Sequence, residues 1–247
     1  MTGDARLRLG VRRYAMAAAL LLAGCAAPVT LPAPETVSLP ASALMAAHLP
    51  PRQAATNFVQ AVARIEPMAE QFCRARTQGL PCDFRIVVDD RPTEPPNAFQ
   101  TLDRAGRPVI GLTLRLIAGA RNVDEIAFVV GHEAAHHILR HIPQQQDSAA
   151  AGAILAGVLA TLDGADEATV RAAQNVGATL GARRYSQAFE LQADALGTEI
   201  AFRAGFDPVR GAAFFDRLAD PGDRFLGTHP PNAQRKALVR NVAAGLR

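Results

Sequence analysis

Four of the six histidines in this 247-residue chain fall within ten consecutive positions, His132, His136, His137 and His141. The surrounding segment has a helix start at Asn122, which can cap a first turn with Glu125 three positions on in the manner of a capping box. Apolar residues Ile126, Ala127, Val129 and Val130 follow. Pro143 restricts Ile142 to extended backbone, so the spacing predicts one helix that stops near His141 and carries all four imidazoles. Within it, His132-Glu133-Ala134-Ala135-His136 is an H-E-x-x-H motif. At about 100° per residue, His136 lies some 40° around the axis from His132 and one turn along, so both can reach one ion. Glu133 sits about 100° away, beside such an ion, where a base acting on water belongs. His137 and His141 fall roughly 140° and 180° from His132, which predicts that they face away and serve structure or the helix end.

Two histidines and a neighbouring carboxylate suit Zn2+, which in a catalytic site needs three protein ligands and an open position. The third ligand must come from elsewhere. Glu190 and Asp194 are four apart in a helix expected from Ser186 to a C-terminal cap at Gly205, so they share a face. One carboxylate can bind the ion while the other accepts a proton from a ligating imidazole.

The rest of the chain reads as one domain preceded by an address. Basic residues number 26 and acidic ones 23. The surplus sits in residues 1–24, where Arg6, Arg8, Arg12 and Arg13 face only Asp4, so the remainder has no net attraction for polyanions and no nucleic-acid partner is expected. Those arginines lead into the apolar run Tyr14 to Leu22, too short to span a bilayer, in the order of a secretory signal. Leu22-Ala23-Gly24-Cys25 resembles the lipobox of bacterial lipoproteins, which implies cleavage before Cys25 and acylation of its sulfur and new amino end, enough to hold the chain on a membrane. Ala26, in place of a retaining Asp, implies sorting to the periplasmic face of the outer membrane. Six prolines between Pro28 and Pro51 read as an extended tether. An exported location allows Cys73 and Cys82 to pair.

Helical spacing is expected over Asn57–Arg76, and strands over Phe84–Val88, Ala98–Leu102 and Arg107–Leu112, with a turn through Asp103–Gly106. The stretch Ala149–Leu162, the most apolar of the mature chain, reads as a buried or loosely packed helix near the histidine helix, with a membrane-contacting hairpin as the lesser alternative.

In order and spacing, His132 to His141, Glu190 to Asp194 and Thr228-His229-Pro230 resemble the zinc metallopeptidases related to HtpX and the CAAX prenyl proteases. Asn97-Ala98-Phe99 is similar to that family's Asn-Ala-Phe segment. The resemblance implies an α+β fold, a mainly helical zincin-like domain with a small β-sheet beside the H-E-x-x-H helix. It implies one zinc held by His132, His136 and Glu190, Glu133 as general base, Asp194 orienting a ligating histidine, and His229 donating to the oxyanion. Ser186 is followed by Gln187 where the family often has Arg. The chain lacks the family's multiple membrane spans and looks like its soluble exported branch, implicated in envelope protein quality control. The expected organisation is a signal peptide over 1–24, a lipidated N-terminus and tether over 25–52, and a metallopeptidase domain over 53–247. The expected function is hydrolysis of peptide bonds in misfolded envelope proteins. A zinc-bearing chaperone or assembly lipoprotein that holds clients without cutting them is the alternative.

Overall fold

A proline at the first helical position gives up no hydrogen bond, and the first helix, α1 (Pro51–Arg76), opens on Pro51 with Pro50 before it. The computed structural model describes residues 49–184, 186–218 and 230–247; the signal segment, Cys25, nearly all of the tether and His229 lie outside the described residues. The buried stripe of α1 runs through Ala54, Ala61, Ile65, Ala69 and Cys73 at helical spacing, while Val59 faces outward. Small residues on that stripe let α1 lie close against the core.

Three strands follow: β1 (Arg85–Asp89), β2 (Ala98–Leu102) and β3 (Pro108–Thr113). The sheet order is β1-β3-β2, with β1 parallel and β2 antiparallel to β3. Ile110 and Leu112 make β3 the buried centre. The β2–β3 turn needs a positive φ at Gly106 (80°), which glycine adopts without steric cost. Gly111 has a different setting: the Phe99 ring covers it, and a Cβ there would lie 2.2 Å from a ring carbon, so the ring would have to move. The Thr113 hydroxyl caps the short α2 (Leu114–Gly119) by accepting from Leu116, and it also accepts from the Asn97 amide at 2.9 Å.

The histidine helix, α3 (Val123–Ile138), is buried on nearly every side. Asn122 accepts from the Glu125 N–H as a cap, but the Glu125 carboxylate does not complete the box. It takes the Arg121 N–H and a bidentate pair from Arg217 instead.

The single helix expected for all four histidines is two. Helix α3 ends at Ile138, and Arg140 takes a left-handed conformation (φ 58°, ψ 39°). A new helix, α4 (His141–Leu162), then starts with Pro143 in its first turn, where a proline is tolerated. His141 therefore belongs to α4.

Helices α4 and α5 (Glu167–Arg184) form an antiparallel hairpin whose backbones touch through glycines. A Cβ on Gly152 would lie 2.1 Å from the Gly177 carbonyl oxygen, and one on Gly181 would lie 2.1 Å from that of Ser148. Ala149, Ala153, Ala178 and Ala182 form a small core of their own. The large side chains of α4 point the other way, with Ile154 66% and Leu162 80% exposed, which corrects the buried half of the expected buried or loosely packed helix. Among the described residues no helix is long and apolar enough to cross a membrane.

Helix α6 (Ser186–Arg203) ends at a left-handed Gly205 (φ 79°), with the Phe206 N–H returning to the Ala201 carbonyl. The short α7 (Pro208–Gly211), a 3-10 turn over Ala212–Arg217 and the last helix, α8 (Asn232–Gly245), close the chain. Among the described residues the fold is mainly helical α+β with one small sheet, as the family resemblance implied.

Candidate metal centre

Glycine decides how near the two site helices come. Gly131 of α3 faces Gly197 of α6, and a Cβ on Gly197 would stand 2.8 Å from the His132 backbone nitrogen. The crossing lies about one turn of α6 beyond Asp194 and about two turns beyond Glu190. His132 Nε2 and His136 Nε2 are 3.0 Å apart, His132 Nε2 is 3.5 Å from Glu190 Oε2, and His136 Nε2 is 3.4 Å from Glu190 Oε1. The structure thus brings together the three ligands named from the sequence.

The donor set fits a zinc-sized cation. Donors bonded to one tetrahedral ion at about 2.0–2.1 Å stand roughly 3.3 Å from one another, close to the separations seen. The proton inventory agrees. Asp194 Oδ1 lies 2.9 Å from His132 Nδ1. An ionised carboxylate can only accept, so Nδ1 carries the proton and the Nε2 lone pair is bare toward His136 and Glu190. His132, Glu133 and Glu190 all line one open cleft, bordered by Asn97, Ala98, Phe128, Phe214 and Phe215. Solvent and a ligand can reach the metal position from that side, and half-buried Glu133 stands beside it.

Asp194 is fully buried and needs a cation. Burial alone would raise its carboxyl, but the Arg235 guanidinium outweighs it, and bonds from Arg235 and His132 add to this, so the carboxyl lies below its ordinary range. Arg235 Nε donates to Oδ2 and Nη2 to Oδ1, both at 2.7 Å, and Nη2 also reaches Glu190 Oε2 at 3.2 Å. The guanidinium lies over the Phe215 ring, 4.0 Å from its centre. Sequence reasoning missed Arg235. A signal exists: Arg235 shares a face of α8 with the buried Val239 and Ala243, an arginine on an apolar stripe.

The two remaining histidines part company. His137 faces away from the metal position; its Nε2 donates to the Pro81 carbonyl at 2.7 Å and its ring packs edge-on against Phe84. Burial lowers its pKa, with the Pro81 carbonyl opposing. It fastens α3 to the loop closed by the Cys73–Cys82 disulfide, whose Cα atoms are 5.6 Å apart. The expectation that His141 also faces away is corrected. The left-handed turn at Arg140 swings it back, so that its Nδ1 lies 2.9 Å from His136 Nδ1 and its Nε2 lies 3.1 Å from Gln192 Oε1. Its ring stacks on Phe189 at 4.4 Å. Burial first, then the neighbouring His136, pushes its pKa down to about 4. His229, assigned to the oxyanion by resemblance, and Cys25 lie outside the described residues.

Comparison with known proteins agrees with this arrangement. The beta-barrel assembly-enhancing protease of Escherichia coli is 31% identical over 142 residues, covering 51% of this chain and 28% of that protein. The mitochondrial metalloendopeptidase OMA1 of Saccharomyces cerevisiae is 31% identical over 169 residues, covering 64% of this chain and 46% of its own length. The chain thus spans less than half the length of these curated relatives. The profile of peptidase family M48 matches residues 59–243, from within α1 into the last turn of α8 and through every residue of the metal centre, and the chain belongs to that family.

Proposed function

We propose that this chain is a zinc endopeptidase that cleaves unfolded or misfolded envelope proteins while held on a membrane surface. One observation carries the reading: the Nε2 atoms of two imidazoles and a carboxylate converge at 3.0–3.5 Å on a position open to a cleft, with Glu133 at its side. His132, His136 and Glu190 would hold the zinc. When bound, it would lower the pKa of a water toward about 7 and polarise the scissile carbonyl. Glu133 accepts the proton of the attacking water and delivers it to the leaving amine. Asp194, fixed by Arg235, keeps the His132 ring in place. His229 donates to the developing oxyanion, and its removal should cost about 10²–10³ in turnover.

The cleft suits an extended backbone. Ala98 opens the edge strand β2 at the cleft, and the buried Asn97 Oδ1 lacks a partner among the described residues, an acceptor ready for a substrate N–H. A peptide added beside β2 is read through its main chain, which favours unfolded clients. Equal cleavage of compact and unfolded forms of one substrate would count against this mode.

Location rests on Leu22 to Cys25 and Ala26, which support acylation and sorting to the outer membrane. The bacterial relatives named for enhancing β-barrel assembly point the same way, since such barrels belong to outer membranes. An exported setting also favours keeping the Cys73–Cys82 pair oxidised.

The deciding experiment is a digest of unfolded casein by zinc-loaded wild type beside Glu133→Gln. The variant should bind zinc and lose at least about 10²-fold in rate. Equal cleavage by both proteins removes Glu133 from the chemistry; zinc binding without cleavage by wild type leaves a client-holding protein.

A further inference from the structure

The metal centre has two orienting arms, and only one of them is of an ordinary kind. His132 is held by a carboxylate. His136 is held by another imidazole, and the chemistry of that contact is restrictive. An imidazole ligating through Nε2 carries its proton on Nδ1, and that N–H must find an acceptor. Among the described residues, the atom within reach of His136 Nδ1 on its outer side is His141 Nδ1, at 2.9 Å. It can accept only if it is bare, in which case the His141 proton sits on Nε2. At that nitrogen stands Gln192 Oε1, at 3.1 Å, an oxygen that accepts and cannot donate. Read from the metal outward or from Gln192 inward, the same proton arrangement results.

We propose that His141 is a positioning residue for the metal centre: by accepting the His136 Nδ1–H it fixes that ring with Nε2 bare and aimed at the point shared with His132 and Glu190. The inference rests on the metallopeptidase reading. Its structural cost is visible. A non-glycine residue in left-handed backbone is disfavoured, and Arg140 takes that conformation at the one place that returns His141 to the site. The His141 ring is 3% exposed and clamped by Phe189, so it has little freedom to turn away. Gln192 is exposed, so water can replace its carbonyl as acceptor. The arm therefore depends on His141 far more than on Gln192. Helix α6 then supplies a ligand, Glu190, flanked at the second and fourth following positions by Gln192 and Asp194, the outer ends of the two arms.

The test compares His141→Phe, which keeps the stack on Phe189 and removes the acceptor, with His141→Asn, whose carbonyl oxygen can stand near the lost Nδ1. Zinc affinity of the full chain is measured by competition with a chromogenic chelator. His141→Phe should bind zinc about 10–100-fold more weakly, and His141→Asn should recover most of the loss. Gln192→Ala should change affinity less than about threefold, as expected where water substitutes. Equal zinc affinity of wild type and a folded His141→Phe overturns the positioning role and leaves the metallopeptidase reading intact. Absence of zinc binding by wild type itself overturns both. Histidine 15N spectra of zinc-loaded wild type give an answer that needs no variant: His136 should be protonated at Nδ1 and His141 at Nε2. A His141 protonated at Nδ1 overturns the proposal.

Discussion

Arg235 acts on the metal position through Asp194, so its loss should be felt as an orphaned charge. Arg235→Met fills similar space but leaves a buried carboxylate without its cation, and breaking a buried pair from one side costs about 3–5 kcal/mol. The pH dependence identifies the cause. In wild type the folded pKa of Asp194 lies below its ordinary 3.8. Its contribution to stability is therefore present above that value and lost as pH falls through the folded pKa. Without Arg235, burial is opposed by the His132 contact alone, and the folded pKa should rise above the unfolded one. Stability at this group then falls as pH rises between the two. Denaturant melts of metal-stripped protein should show the gap between wild type and variant widening from about pH 3 to pH 6; a constant gap would mean that lost packing on Phe215 is the whole effect. Residues of this kind are hard to read from sequence. His132, His136 and Glu133 are legible because one helical period places them, whereas Arg235 meets Asp194 only after 41 positions of chain fold back. His141 misled for a related reason: a helical wheel assumes an unbroken helix, and the left-handed turn at Arg140 has no residue-type signature.

At the level of elements, the crossing of α3 and α6 sets the ligand distances. The Gly197 Cα faces backbone atoms of Gly131 and His132, which cannot move aside as a flexible side chain can. Gly197→Ala should therefore push the helices apart and cost about 1–3 kcal/mol. Because His132 and Glu190 sit on opposite sides of that crossing, zinc affinity should fall with it, by more than a stability loss alone would explain. Unchanged zinc affinity in a destabilised Gly197→Ala would show that the crossing does not govern the centre. The elements themselves were largely legible. Each strand lies within a residue of its expected place, since β-branched runs bounded by turn residues carry their own signal. The α4–α5 hairpin was not, because composition alone cannot say which way apolar residues point. Its glycines and alanines pack inward through direct backbone contact, which leaves Leu155, Val158 and Leu159 facing out.

At the scale of the molecule, the described residues make two apolar cores of unequal dependence on the metal. The main core joins α1, the sheet, α3, α6 and α8, and two of its helices, α3 and α6, carry the candidate metal ligands at the cleft. The second core consists of four alanines between α4 and α5 and includes no ligand. A ligand that binds only the folded state stabilises it by about 4 kcal/mol at a thousandfold excess over its dissociation constant. For a domain of this size that corresponds to roughly 8–16 °C in Tm. Chelation should accordingly lower Tm by that order, and added zinc should restore it. The loss should not be even. Stripping the ion removes the bond that ties two imidazoles and a carboxylate together across α3 and α6, so amide exchange should quicken there first, around residues 126–138 and 189–201. Amides 149–160 and 170–182, held by the separate alanine contacts, should keep their protection. Hydrogen exchange with and without chelator reads this directly, and equal loss across both sets would mean that the hairpin and the metal centre unfold as one unit.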